Sequence, residues 1–377
     1  MLTSKDIFRY LLGLAGALLG VLASANEPCR VVFDMGSSGI RAGASNSEVI
    51  VRADIDYLGS LSAGRGLEET IAPTIAALVA LPRQAGFSDD CARLGGGFSA
   101  WRIALQQDAG NLASNFARIK AASGVAVLVI PQRAEGAYGY VGARQLLGSR
   151  LATSHVLDIG GGSLQIAGER AAFGDALGQK IWHRELCQLV RNASVQPCQL
   201  QPMSDAEVAE ARALLKNKLR GVQEALQGPV TMTAISRPVT QGVVPAVERL
   251  LDQHFGQNPL PLSGLRAAIG RLVSLTLDET VARLGMPSKY AAYLLSDMLL
   301  LEGLIDATGG EPLHIAELDL TNLPGLLADE HAFGWVGRYD CYLERLKYLG
   351  LQAYASDPAT CRAAGQDAVE SLKASGE

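Results

Sequence analysis

Charge is scarce in this sequence. Asp, Glu, Lys and Arg make up 19% of 377 residues, and the formal net charge is only −5. A chain so balanced has no global field to draw in a polyanion, which argues against nucleic acid as a general partner. Any polyanionic ligand must be held by a local set of donors. Long apolar runs are missing too: after the first 25 residues no stretch is long and apolar enough to cross a bilayer. The glycine-rich segments carry no Gly-Lys-Ser/Thr to cradle a triphosphate. They also lack the dinucleotide fingerprint, with its acidic partner about twenty residues on.

With 48% hydrophobic residues the chain is globular, and its length predicts two domains rather than one core. Lys5 and Arg9 precede the apolar run Tyr10 to Ala23, and Ala23-Ser24-Ala25 has the small-x-small pattern of a cleavage site. Residues 1–25 therefore read as a signal peptide. The mature protein is expected to be exported, periplasmic or secreted, with no stable membrane insertion after cleavage. Six cysteines follow: Cys29, Cys91, Cys187, Cys198, Cys341 and Cys361. An even count in an exported chain favours disulfides. Cys187 and Cys198 are close enough to close a short loop, and Cys341 and Cys361 a C-terminal one. Zinc at Cys187 and Cys198 with His183 is the competing reading, but the spacing fits no compact zinc module.

The chemistry concentrates in two stretches that say nearly the same thing. Val31-Val32-Phe33-Asp34-Met35-Gly36-Ser37-Ser38-Gly39-Ile40-Arg41 and Val156-Leu157-Asp158-Ile159-Gly160-Gly161-Gly162-Ser163-Leu164-Gln165-Ile166 each read as strand, tight turn, strand. Glycines let the backbone approach a ligand, and successive N–H groups in such turns form nests that favour phosphate. Between the repeats, strands are expected near 30–33, 40–44, 48–57, 93–98 and 125–130, with helices over 68–80 (interrupted early by Pro73), 109–122 and 134–147. The pattern restarts at His155. A further strand is expected near 180–183 and a long helix over 205–226, capped by Ser204 and Glu207. A strand near 230–235, helices over 245–306 and a last strand at 313–316 follow. Beyond 319 the chain reads as an irregular or helical tail. The two aspartates lie 124 residues apart (158 − 34 = 124), an interval that suits duplication of one α/β domain around a common cleft.

Two facing nests, each with an Asp at a strand end, suit a phosphoanhydride with a divalent metal. Asp34 and Asp158 supply the carboxylate oxygens that Mg²⁺ or another hard cation prefers. The backbone of Gly36, Ser37, Ser38 and Gly39, and of Gly160, Gly161, Gly162 and Ser163, would grip phosphates, with Arg41 and Arg102 as charged donors. Glu135, after Pro131 and in a low-charge setting, is the candidate to deprotonate the attacking water. Each has a local alternative: a turn aspartate, a packed arginine, a glutamate in a helix first turn. All five alternatives would have to hold at once.

At these residues the sequence resembles the exopolyphosphatase/guanosine pentaphosphate phosphatase (Ppx/GppA) family. The matching elements are Asp34-x-Gly36-Ser37-x-x-x-Arg41, Ser99-Ala100-Trp101-Arg102-Ile103-Ala104, Ile130 with Glu135-Gly136 and Tyr140 to Gly142, and Asp158 to Ser163. The resemblance implies an α/β fold of duplicated actin-like (ribonuclease H-like) domains facing a central cleft, with a helical C-terminal portion. It divides the chain into residues 26–152, 153–318 and a C-terminal tail from 319 to 377. It also places Cys29 and Cys91 at the same ends of adjacent parallel strands, within disulfide reach. The implied activity is metal-dependent hydrolysis of phosphoanhydrides, with inorganic polyphosphate as first substrate and nucleoside tri- or diphosphates as second.

Two positions depart from the family. Leu164-Gln165 replaces the usual Thr-Glu, and Gln165 with Glu135-Gly136-Ala137-Tyr138 is similar to the apyrases, where such a glutamate and glutamine position water together with a serine, here Ser163. Thr231-Met232-Thr233-Ala234 stands where relatives carry a glycine-rich segment near a nucleoside. A catalytically silent phosphate- or nucleotide-binding relative is the remaining reading.

Overall fold

A computed structural model describes residues 29–195, 197–256, 258–318 and 322–361. The expected signal peptide lies outside the described residues. Strands β1 (Arg30–Met35), β2 (Gly39–Ala44), β3 (Ser47–Asp54), β4 (Ala92–Gly97) and β5 (Ala126–Val129) form one sheet in the order β3-β2-β1-β4-β5. Strands β6 (His155–Ile159), β7 (Leu164–Gly168), β8 (Ala172–Asp175), β9 (Met232–Ala234) and β10 (His314–Ile315) form the other, in the order β10-β9-β6-β7-β8. Each is an antiparallel three-strand meander extended by two parallel strands reached through helices.

The repeat holds in register as well as in order. Asp34 pairs with Arg41 across β1 and β2, and Asp158 with Gln165 across β6 and β7. Both turns close alike, Gly36 N–H donating to Gly39 O at 3.0 Å and Gly160 N–H to Ser163 O at 2.8 Å. The central strand β1 is apolar and buried on both faces, whereas the edge strand β3 is largely exposed.

Two large apolar cores, with a small third cluster around Ala143, Val156 and Ile235, back the sheets among the described residues, and chain order does not divide them. Leu323, Leu326, Trp335, Tyr339, Tyr342 and Leu346 belong to the first core although they follow the second in sequence. The tail is helical, at Leu323–Leu327, Glu330–Gly334, Tyr339–Leu349 and Gln352–Ala355. It also closes the free edge of β5. Val129 N–H donates to the Tyr342 hydroxyl at 2.7 Å, and the Tyr339 hydroxyl accepts from Val127 N–H and donates to Val127 O. Backbone groups of an edge strand that face no other strand need such partners.

Several expectations change. Lys180 to His183 is not a strand but the start of the helix Gln179–Leu189, whose buried face is Ile181, Trp182, His183, Leu186 and Cys187; the third strand of the second sheet is β8. The expected helix over 205–226 breaks after Lys218 at Gly221, which has φ +88°, and resumes as Val222–Ala225. The helix Glu68–Ala85 runs through both Pro73 and Pro82. Ser204 and Glu207 make the expected capping box.

All six cysteines are paired: Cys29–Cys91, Cys187–Cys198 and Cys341–Cys361. His183 lies beside the second pair, but the sulfurs there are joined to each other, which removes the thiolates a zinc site needs. Cys29 immediately precedes β1 and Cys91 precedes β4, and the parallel pairing of Arg30 with Ala92 brings them together. Because this bridge closes 62 residues of chain, Cys29→Ser with Cys91→Ser should lower unfolding free energy by about 4 kcal/mol. Denaturant melts of the double variant against the parent read this directly, and non-reducing peptide mapping checks the pairing.

Candidate active site

The two hairpin turns meet. A β-carbon on Gly162 would lie 2.2 Å from Ser99 Oγ and 3.7 Å from Ser37 Oγ, so only glycine lets the second turn approach the first half this closely. The second turn is held from behind by the helix Gln179–Leu189. Its first N–H groups, of Gln179 and Lys180, donate to Gly160 O and Gly161 O, both at 2.9 Å. Gly178 makes this possible, since a β-carbon there would fall 2.4 Å from Ser163 N and 2.5 Å from Gly160 O.

Between the turns lies a closed polar network. Glu135 sits in the first turn of the helix Gln132–Leu147, with 11% of its side chain exposed. Its Oε2 pairs with Arg102 Nη2 at 2.7 Å and accepts from Gln165 Nε2 at 2.9 Å. Ser163 Oγ accepts from Arg102 Nη2 at 2.9 Å and from Gln165 Nε2 at 3.0 Å. With both lone pairs engaged, the Ser163 proton is directed away from these two donors. Arg102 also donates from Nη1 to Ile130 O at 2.8 Å. The amide at position 165 has a clear physical role in this arrangement. A glutamate there would offer no donor to Ser163 and would set a second carboxylate against Glu135.

Three carboxylates share the cleft. Burial pushes Asp34 up from the ordinary range, opposed by donation from Asn322 and by Arg41. Burial likewise raises Glu135, opposed by the charge and hydrogen bond of Arg102. Asp158 is raised to about 7, first by burial and then by the charges of Glu135 and Asp34, with Arg41 opposing. Protein cations thus offset the negative charge only in part. Asp34 and Asp158, whose charges act on each other in the cleft, offer the carboxylate oxygens that a hard divalent cation prefers.

The structure thus gathers Asp34, Glu135, Asp158, Ser163, Gln165 and Arg102 into one cleft, flanked by Gly36 to Gly39 with Arg41 and by Gly160 to Gly162. Asn322 escapes sequence reasoning, and Ser99 is marked there only as part of its motif, without a role. Asn322 N–H donates to Asp34 Oδ2 at 3.2 Å, and its side chain favours the ionised form of the same carboxylate. Ser99 Oγ is buried beside Gly162 with no partner of its own among the described residues. A cavity of about 170 Å³ opens beside the first turn, lined by Asp34, Gly36, Gly39, Arg41 and Arg52 among others. A larger one, about 630 Å³, lies elsewhere, between the helix Asp205–Lys218 and the end of Ser288–Ala307.

Two repeats of one five-stranded topology, each with an Asp-Gly hairpin, define an actin-like α/β fold. Within that class, residues 106–320 match the model of the Ppx/GppA phosphatase family, over half of the chain, and the protein belongs to that family. It is a hydrolase acting on phosphoanhydride bonds. Solved structures agree on the fold. An Aquifex aeolicus Ppx/GppA phosphatase, the type II variant, is 17% identical with a TM-score of 0.57, matching 80% of this chain and 98% of its own. The Aquifex aeolicus PPX-GPPA enzyme is 17% identical, TM-score 0.59, over 80% and 99%. An exopolyphosphatase from Cytophaga hutchinsonii is 18% identical, TM-score 0.55, over 80% and 96%. No curated protein matches the sequence.

Proposed function

We propose that the protein is an exported, metal-dependent exopolyphosphatase that releases terminal phosphate by attack of water activated by Glu135. The observation that carries this reading is the Glu135 network. A buried carboxylate is oriented by Arg102 and Gln165 beside Ser163, in the cleft between two glycine turns. Its raised pKa makes it a better proton acceptor than an exposed glutamate.

In this reading residues 26–152 and 153–318 are two actin-like domains, and the helices from Leu323 on pack on the first. The backbone amides of Gly36 to Gly39 and Gly160 to Ser163 hold substrate phosphates, with Arg41 as a charged donor. Arg102 acts through Glu135 as a positioning residue, because its guanidinium is engaged with Glu135, Ile130 and Ser163. Ser163 and Gln165 orient the water. As its oxygen bonds to phosphorus, Glu135 takes its proton and the phosphoanhydride P–O bond breaks toward the leaving chain. Asp34 and Asp158 would hold Mg²⁺, which neutralises phosphate charge as it builds.

Inorganic polyphosphate is preferred over nucleotides because the segment expected to meet a nucleoside is committed elsewhere. Thr233 is buried with its hydroxyl 2.7 Å from that of Thr153, and Thr231 Oγ1 accepts from Ser154 N–H. The paired cysteines support export. Among the described residues no helix is long and apolar enough to cross a membrane. The apyrase-like reading draws on the Gln165 contact and is separated by assay. With Mg²⁺, the mature protein should release phosphate from polyphosphate in preference to ATP, ADP or GTP. Preference for nucleotides would support the apyrase-like alternative, and no release from any of the four a silent binding protein.

A further inference from the structure

The first meander carries a charged row that its repeat lacks. Asp34 on β1 pairs with Arg41 on β2, and Arg41 pairs in turn with Arg52 on β3. Residues directly opposite across antiparallel strands point to the same sheet face, so the three side chains stand in line. Two arginines directly opposite one another repel, and Asp34 across from Arg41 and Asp54 beside Arg52 offset part of that repulsion. All three line the 170 Å³ cavity beside the Gly36–Gly39 turn. The second meander is an internal control for what the fold itself requires. There Asp158 pairs with Gln165 and Gln165 with Gly174, without a cation, and Gly174 packs against Gln132. The two arginines are therefore no requirement of this topology.

Arg52 is about half exposed, and its partner is Asp54, two residues along the same strand and itself 75% exposed. An ion pair so open contributes little and exchanges readily for a stronger anion. Guanidinium forks match phosphate oxygens, and a phosphate carries more charge than a carboxylate. Glu135, Ser163 and Gln165, by contrast, are sequestered deep in the cleft. We propose that Arg41 and Arg52 together form an outer phosphate subsite, which holds a unit of a condensed phosphate chain other than the one attacked. This deepens the polyphosphate reading and rests on it for the identity of the chain.

The test compares wild type with Arg52→Gln on long-chain polyphosphate. The Michaelis constant should rise about tenfold, the weight of one charge-assisted hydrogen bond, with kcat nearly unchanged. Arg52→Lys should recover part of the loss. Asp54→Asn should lower the constant, because the competing carboxylate is gone, an effect that a merely structural Arg52 would not produce. Equal constants in wild type and Arg52→Gln would overturn the subsite while leaving the hydrolase intact. Weaker inhibition by orthophosphate without a change in the Michaelis constant would also overturn it, placing Arg52 on the product instead. If wild type releases nothing from polyphosphate, the hydrolytic reading fails separately. Equilibrium binding of polyphosphate to the two proteins then decides the subsite, with weaker binding by Arg52→Gln expected and equal binding overturning it.

Discussion

Glu135→Gln should lower phosphate release from polyphosphate by about 10²–10⁴-fold, the usual contribution of a positioned general base. The amide keeps the shape of the carboxylate but cannot take the proton of the attacking water. Three features argue for so large an effect. Glu135 is held at the cleft by two donors on one oxygen, Oε2. The same two donors, Arg102 and Gln165, also bond Ser163 Oγ in the second glycine turn. Among the described residues the other cleft carboxylates, Asp34 and Asp158, make no arginine ion pair and are better suited to a cation. Neutralising Glu135 also leaves Arg102 a buried charge without its counter-ion, which costs on the order of 3 kcal/mol. The comparison therefore belongs well below the melting temperature, with circular dichroism confirming the fold. Release within tenfold of wild type would move the base elsewhere in the cleft.

The hairpins were legible because their signal is local. Asp, clustered Gly and alternating apolar residues specify strand, turn and strand within a dozen positions. Repeated 124 residues on (158 − 34 = 124), they imply the duplication that the register confirms down to Arg41 and Gln165. The helix Gln179–Leu189 was misread because Lys180 to His183 is too short to distinguish periods. What decides it is Gly178 pressed beneath the second turn, a tertiary contact. Asn322 was invisible for a stronger reason. Its partner Asp34 lies 288 residues away, and no periodicity marks a residue that reaches a site by chain return. The same holds for Tyr339 and Tyr342 on the edge of β5, more than 200 residues from Val127 and Val129. Arg102 was found by its motif, but the motif says nothing of whether it faces substrate or the base.

Metal-free protein should lose stability as pH rises from about 5 to 8, and Mg²⁺ should reverse the loss. Asp158 is raised from 3.8 to about 7, and Asp34 and Glu135 are raised as well. A carboxyl whose pKa is higher in the folded than in the unfolded state holds its proton more tightly when folded. Its contribution is fully present below the unfolded value and disappears as pH climbs through the folded one. For Asp158 the window runs from about 4 to about 7, and its side chain keeps a partial opening to the cleft. That opening reduces the full linkage value, leaving a loss on the order of 2 kcal/mol between pH 5 and 8. A divalent cation at Asp34 and Asp158 binds only their ionised forms, so its stabilisation must follow the opposite slope. Melting temperature measured with and without Mg²⁺ should separate by more at pH 8 than at pH 5. In Asp158→Asn the pH-dependent fall should shrink and most of the Mg²⁺ shift should disappear, whereas exposed carboxylates elsewhere would leave both unchanged. A Mg²⁺ shift of equal size at both pH values, or one that survives in Asp158→Asn, would place the cation away from the paired hairpins.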